Sequence, residues 1–320
     1  MHRKSISVIV PVYNSQDSLE ALSSRLCGVL EDYSDHYEIV FVNDGSRDAS
    51  WEVICRLVDS NDKVRGINLM RNYGQHNALL AGIRIAQHGL IVTIDDDLQH
   101  PPEEIPKLLE KIDEGYDVVY GAPEEEAHEF SRNIASQITK LAFQSIMKVK
   151  VARKISAFRV FRTPLRNAFE NFNAPHPSID VLLSWATPRF SYVNVKHNER
   201  QAGTSNYNFG KLFRHAMNMM TGFSTMPLRM ASVLGFIFTL FGIGVFLYVF
   251  IRYLTQGTPV QGFPFLASVI SIFSGVQLFV LGVFGEYLAR MYSRVMDRPA
   301  YVIDEIKNRN ESTKIDDYNV

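Results

Sequence analysis

Three consecutive carboxylates, Asp95, Asp96 and Asp97, follow the apolar run Ile91, Val92, Thr93 and Ile94. Leu98 and Gln99 come next, and the stretch stops at His100, Pro101 and Pro102. A short buried strand that ends in acids delivers hard oxygen ligands to a sheet edge, where Mg2+ or Mn2+ bridges them to a diphosphate. The same residues also suit a polar turn and helix cap ahead of Pro101, Pro102, Glu103 and Glu104. The elements around them decide between the two.

The chain has 320 residues, is 46% hydrophobic and carries a formal net charge of −1, which excludes a disordered chain and argues against nucleic acid as a partner. Residues 5–12 read as a buried strand. Asp17 is expected to cap a helix to residue 30, with Leu19, Leu22, Leu26 and Leu30 on one face. Strands over 37–42, 64–69 and 90–94 alternate with helices over 49–59 and 77–87, the pattern of α/β layers around a mainly parallel sheet. Ligands of such sheets bind outside the carboxyl ends of the strands. Polar residues stand there: Tyr13 and Asn14, then Asp44, then Arg71, then the 95–99 cluster. These clusters are expected to converge. Cys27 and Cys55 fit small buried apolar roles in a reduced compartment, and the end beyond about Lys307 reads as disordered.

The last third is different. Residues 230–251 and 263–285 contain no charged side chain, and each run exceeds the roughly 20 residues that cross a bilayer core. The loop between them holds one basic residue, Arg252, whereas Lys211, Arg214 and Arg229 precede the first run and Arg290, Arg294 and Arg298 follow the second. The positive-inside rule then places the N-terminal domain and both termini in the cytoplasm, on a multi-pass protein of the inner membrane. Residues 208–226 mix apolar and basic side chains at helical spacing and suit an interfacial helix. The expected organisation is a domain over 1–206, a juxtamembrane helix over 207–229, spans over 230–254 and 263–288, and a cytoplasmic tail over 289–320. A second charge feature lies between residues 130 and 169, which include no Asp or Glu but hold Arg132, Lys140, Lys148, Lys150, Arg153, Lys154, Arg159, Arg162 and Arg166. Such a block suggests a surface that faces lipid phosphates.

Several stretches together resemble the ordered motifs of family-two glycosyltransferases: 10–14 (Val-Pro-Val-Tyr-Asn), 42–46 (Val-Asn-Asp-Gly-Ser), 71–74 (Arg-Asn-Tyr-Gly) and 95–99 (Asp-Asp-Asp-Leu-Gln). Residues 285–290 (Gly-Glu-Tyr-Leu-Ala-Arg), with Arg298 and Pro299, are similar to the membrane exit of the subgroup that loads one sugar onto a polyprenyl phosphate. That subgroup includes bactoprenol glucosyltransferases, formamidoarabinose transferases and dolichol-phosphate mannose synthases. The resemblance implies a GT-A nucleotide-sugar domain and inverting, metal-dependent transfer, with a UDP-sugar as donor and undecaprenyl phosphate as acceptor. It implies that Asp97, Gln99 and Asp95 hold Mg2+ or Mn2+. Pro11, Tyr13, Asn14, Asp44, Arg71, Asp95 and Asp96 would bind the nucleotide sugar. Arg132, Ser136, Arg200 and Ser205 would hold the acceptor phosphate, with Asp97, Asp95 and Arg200 as catalytic residues. Relatives form tetramers, so a homo-tetramer is implied.

The sequence departs from that pattern in places. Where relatives often carry an acid near Ser-Gly-Phe-Arg, residues 153–159 read Arg-Lys-Ile-Ser-Ala-Phe-Arg, and the next acid that suits a base, Asp180, is expected to cap a helix after Pro177 and Ser178. Ser15 replaces a usual Glu, Asn206 a frequent Lys, and Pro123 to Glu126 occupy a stretch where Arg is common. These changes keep an inactive glycosyltransferase-like scaffold open as an alternative. A processive polysaccharide synthase fits less well, because Trp51 and Trp185 lack that class's Gln-x-x-Arg-Trp context. The identity of the sugar is not encoded in any motif.

Overall fold

The computed structural model describes residues 4–123, 147, 151, 154–174, 177–198, 224–256, 262–309 and 311–314. They form β1 (Ser5–Val12), α1 (Leu19–Tyr33), β2 (His36–Asn43), α2 (Ser50–Ser60), β3 (Val64–Leu69) and α3 (Gln75–Ile85). Next come β4 (Leu90–Thr93), α4 (Ile105–Asp113), β5 (Val118–Pro123), β6 (Arg159–Arg162), α5 (Ile179–Ala186) and β7 (Phe190–Val195). Two long helices, α6 (Met226–Gln256) and α7 (Phe263–Val295), precede β8 (Ile303–Asn308) and β9 (Glu311–Lys314). The chain divides into two compact units, one of Met1–Tyr207 with Asp297–Val320 and one of Asn208–Met296.

The first unit is built on one sheet of order β7-β5-β6-β4-β1-β2-β3-β8-β9. β4, β1, β2 and β3 run parallel, so their carboxyl ends share one edge. β1 is buried along Ile6–Val12 and β2 along Tyr37–Asn43, as strands covered on both faces must be. Leu19, Leu22, Leu26 and Leu30 bury the expected stripe of α1. The helix starts at Leu19 with Ser18 at its cap, not Asp17, and the Ser18 hydroxyl donates to the carbonyls of Ser15 and Asp96. α3 begins two residues before the expected position because Gly74 takes φ +94° and turns the chain directly into the helix. Cys27 and Cys55 are free thiols and only partly buried.

Two expectations are modified by non-local contacts. The stretch just beyond Lys307 belongs to the β8–β9 hairpin as far as Lys314, where the described residues end, and β8 lies antiparallel on β3. Its pairing partner is about 240 residues away in sequence, so no local pattern announces it. In the basic block, Arg159, Arg162 and Arg166 find partners within the protein, whereas Arg132, Lys140, Lys148, Lys150 and Arg153 lie outside the described residues. Arg159 is buried against Asp180, Arg162 lies by Asp117, and one Arg166 nitrogen donates to the carbonyls of Ile83, Arg84 and Ala86. Buried Arg159 and exposed Arg162 each pair with a buried acid, and Arg166 satisfies helix-end carbonyls.

In the second unit, segments Met226–Thr255 and Ile272–Tyr292 have hydropathies of 2.5 and 1.6, and none of either window is buried. Phe238 and Phe241 of α6 pack on Phe273 of α7. Outward side chains such as Phe236, Phe246, Leu278 and Phe284 are more than half exposed. A core helix of a water-soluble domain buries such side chains, whereas these two helices are long and apolar enough to cross a membrane. Most of the expected interfacial helix lies outside the described residues.

Candidate active site

Each of the four parallel strands runs out into a polar segment, and hydrogen bonds between backbone and side chains tie the segments together. After β1, Tyr13 donates its N–H to Asp96 Oδ2 at 3.1 Å, and its ring stays 43% exposed at the edge. Asn14 adopts φ +53°, its N–H donates to Ser46 Oγ (3.0 Å) and its Oδ1 accepts from the Arg47 N–H (2.8 Å). Pro11, the penultimate residue of β1, is buried beneath them.

Asp44 follows β2, and its carboxylate turns inward. Its two oxygens accept the N–H groups of Tyr73 (2.7 Å) and Gly74 (2.8 Å), clamping the segment that leads from β3 into α3. Burial pushes its pKa up and these two amides oppose the rise. Asp44 is therefore a clamp on residues 71–74, a role that a bare nucleotide contact does not anticipate. Arg71 on that segment is exposed and lies over the Tyr73 ring at 4.7 Å. Gly45 completes the packing. With φ +63°, it lies so close to this segment that an added Cβ would stand 2.5 Å from Arg71 C and Asn72 N. Gly45→Ala is therefore expected to displace the 71–74 segment and cost about 2 kcal/mol, read as a lower unfolding midpoint together with weaker nucleotide binding.

The acidic turn follows β4. Asp95, Asp96, Asp97 and Gln99 are all partly buried, and Leu98 takes φ +59° to reverse the chain. Asp95 Oδ1 accepts from Gln75 Nε2 at 2.6 Å, Asp97 Oδ1 from the Gln99 N–H at 3.1 Å, and the Gln99 carbonyl from the Asn198 N–H at 2.8 Å. Burial, then the adjacent Asp97 and Asp96 charges, push Asp95 up to about 7. Beneath the turn, Thr93 Oγ1 accepts from Arg159 Nε (3.0 Å), and the Arg159 guanidinium also pairs with Asp180, which accepts the Tyr120 hydroxyl (2.9 Å). Asp180 lies in the first turn of α5, whose cap is Ser178. It is a buried partner of Arg159, not a helix cap, and it is not free to act as a base. His100 closes the turn. It is buried, 4.9 Å from the His197 ring, and burial and that neighbour lower its pKa to about 4, which keeps it neutral.

A divalent ion fits these donors. Among the described residues no three His, Cys, Asp or Glu side chains form a cage, whereas Mg2+ is commonly held by one or two carboxylates plus substrate phosphates. Asp95 and Asp97 supply such carboxylates and Gln99 an amide oxygen. The mutual repulsion that raises Asp95 is what a cation relieves. Because the ion requires the deprotonated acid, Mn2+ affinity is expected to rise about tenfold per pH unit below pH 7 and to level off above it. Titration of Mn2+ by electron paramagnetic resonance between pH 5.5 and 8 checks this, and Asp95→Asn should flatten the profile.

The structure thus gathers Pro11, Tyr13, Asn14, Asp44, Arg71, Asp95, Asp96, Asp97 and Gln99 at one sheet edge. Arg132, Ser136, Arg200 and Ser205 lie outside the described residues. Sequence reasoning missed the Gln75 contact and His100 with its His197 neighbour. Gln75 stands next to the 71–74 motif, but nothing local signals that it reaches Asp95.

Residues 7–171 match the model of Glycosyl transferase family 2. The undecaprenyl-phosphate 4-deoxy-4-formamido-L-arabinose transferase of Shewanella sediminis is 35% identical over 304 residues, which cover 94% of this chain and 92% of that protein. Among solved structures, mannosyl-3-phosphoglycerate synthase from Rubrobacter xylanophilus superposes with a TM-score of 0.52 at 16% identity, covering 71% of this chain and 74% of that one. Glucosyl-3-phosphoglycerate synthase from Mycobacterium tuberculosis, solved with Mn2+, UDP and its product, gives 0.50 at 15% identity, covering 68% and 79%.

Proposed function

This chain belongs to glycosyl transferase family 2 and has the GT-A fold of its structural neighbours, and on that premise we propose that it transfers one sugar, with inversion, from a nucleotide sugar to a polyprenyl phosphate at the cytoplasmic face of a membrane. The observation that carries this reading is the extent of the similarity to a transferase named for undecaprenyl phosphate. It covers 94% of the chain, and so takes in apolar helices that a transferase for soluble acceptors would not need.

In this reading the exposed Tyr13 ring and Arg71 receive the nucleoside and diphosphate, while Asp44 holds the 71–74 segment in place. UDP is the favoured nucleotide and the neighbour solved with UDP and Mn2+ supports it. Asp95, Asp97 and Gln99 hold Mg2+ or Mn2+, which stabilises negative charge on the departing diphosphate. An acceptor phosphate oxygen forms the new bond to the anomeric carbon as the bond to the donor diphosphate breaks, releasing the nucleoside diphosphate. A phosphate monoester loses its second proton near pH 6, so this nucleophile needs no strong protein base. The engagement of Asp180 by Arg159 and Tyr120 supports that economy. Arg132, Ser136, Arg200 and Ser205 are assigned to the acceptor phosphate by resemblance alone.

The topology has its own support. β8 and β9 belong to the same sheet as β1 to β7, so the chain leaves and re-enters one unit around the two apolar helices. A pair of spans returns the chain to its starting side, and Arg229, Arg290, Arg294 and Arg298 favour the cytoplasm.

The test uses purified full-length protein, undecaprenyl phosphate, Mg2+ or Mn2+ and a panel of radiolabelled UDP- and GDP-sugars. Label that enters an organic-extractable lipid from one donor, and is lost with EDTA, is the expected result and names the sugar. No transfer from any donor, with nucleotide still bound, would favour the inactive scaffold.

A further inference from the structure

β8 does not simply extend the sheet. Asn68 of β3 pairs with Glu305, but Leu69 pairs with Ile303, so Asp304 is the extra residue of a β-bulge. A bulge re-aims its side chain. Here it brings Asp304 Oδ2 to Asn68 Nδ2, 2.9 Å away. Asn68 Oδ1 accepts from Asn43 Nδ2 at 2.7 Å, Asn43 Oδ1 from the Ser46 N–H at 3.3 Å, and Ser46 Oγ from the Asn14 N–H at 3.0 Å. The path runs from the strand after the apolar helices to the two turns that border the Tyr13 ring and the Asp44 clamp.

The path has a direction. A carboxylate only accepts, so Asp304 obliges Asn68 to present its NH2 and leaves the Asn68 oxygen for Asn43. Asn43 must then present its own NH2 to Asn68, which leaves its oxygen for the Ser46 N–H. One acid at the far end therefore fixes the orientation of two amides. The path is centred on the buried Asn43, with Asn68, Asp304 and Ser46 half-buried around it, and polar networks of this kind are stiff when every member is satisfied.

We propose that Asp304 is a positioning residue of the donor site, which acts through Asn68 and Asn43 to hold the 43–46 turn and the Asn14 backbone in the shape that binds a nucleoside diphosphate. This rests on the nucleotide-site reading above. It makes the strand that returns from the apolar helices a working part of that site.

The relay is tested in the full-length protein with UDP and Mn2+ as the probe, by calorimetric titration of the wild type, Asp304→Asn, Asp304→Ala and Asp304→Lys. Melting temperature and the KM values for donor and acceptor are read alongside. β8 keeps its other anchors, Lys307 to Asp59, Arg65 to Asn308 and Met70 N–H to Val302 O, so it stays docked in all three variants. The Asp304→Asn variant still offers an oxygen and should bind UDP within about twofold of wild type. Alanine releases the amides and should weaken UDP several-fold. Lysine is a donor, which reverses both amides and sets the Asn43 NH2 against the Ser46 N–H, and should weaken UDP more than about tenfold, a fold-change of roughly 1.4 kcal/mol. Donor KM should follow this order while acceptor KM stays within about twofold. If the lysine variant does not fold, Asn68→Ala interrupts the same path and should match Asp304→Ala. Three variants that bind UDP like wild type, or weaken it equally and in step with melting temperature, would overturn the relay and leave β8 as mere edge cover. A wild-type chain that binds no UDP would overturn the nucleotide-site reading and the relay with it.

Discussion

Asp97→Ala is expected to lower sugar transfer about 10³-fold while leaving membrane insertion and melting temperature near wild type. Asp97 sits on a surface turn and the hydrogen bond it makes there is local, Oδ1 accepting the Gln99 N–H. Little of the fold depends on it. Once Asp97 is gone, the turn keeps Asp95 as a carboxylate for the neutralising ion but loses the second one, because Asp96 is committed to the Tyr13 N–H. Asp97→Asn separates geometry from charge. It retains an oxygen for the Gln99 N–H and so keeps the turn, but should lose nearly as much activity. Label transferred to lipid at rising Mn2+ checks this: partial recovery at high Mn2+ marks a loss of affinity. An unchanged rate in both variants would remove Asp97 from the metal site.

The parts of this fold that repeat locally could be read from the chain. Alternation of strand and helix gave the parallel core, Leu19, Leu22, Leu26 and Leu30 marked the buried face of α1, and acids at the end of β4 marked the sheet edge that matters. What escaped were contacts between distant segments. Arg159 reads as one more cation in a basic run, yet the antiparallel insertion of β6 beside β4 puts it opposite Thr93 and inside the sheet. Asp44 reads as a nucleotide contact at the end of β2, yet its oxygens reach 29 and 30 residues ahead. Asp304 lies just before the end expected to be disordered, and its orientation follows from a bulge that exists only once β8 has found β3. Side chains of Asn, Asp and Arg satisfy whatever donor or acceptor the fold brings near, so their partners carry no period in sequence.

Arg159→Met is expected to destabilise the protein by about 3–5 kcal/mol, the largest loss from a single substitution away from the carboxylate turn. Arg159 is only 1% exposed and is the largest fully buried side chain among the described residues. Desolvation works against its charge, but Asp180, Tyr120 and Asp95 hold it protonated. Methionine fills much of the same volume and so removes the charge with little cavity. Asp180 is then left buried with the Tyr120 hydroxyl as its remaining hydrogen bond among those described, and Thr93 loses the Nε donor. Asp180→Asn strands the guanidinium instead and should also be costly. The pair is coupled, so Arg159→Met with Asp180→Asn should lose less than the sum of the single changes, by about 1 kcal/mol or more on the scale of about 0.5–3 kcal/mol seen for residues in contact. A double-mutant cycle on the apparent unfolding free energy measures this directly. Additive losses would mean that the ion pair contributes nothing specific, and that Arg159 serves only as packing between β4, β6 and α5. A coupled loss with UDP affinity preserved in the double variant would assign the pair to the platform beneath Asp95 and not to the site itself.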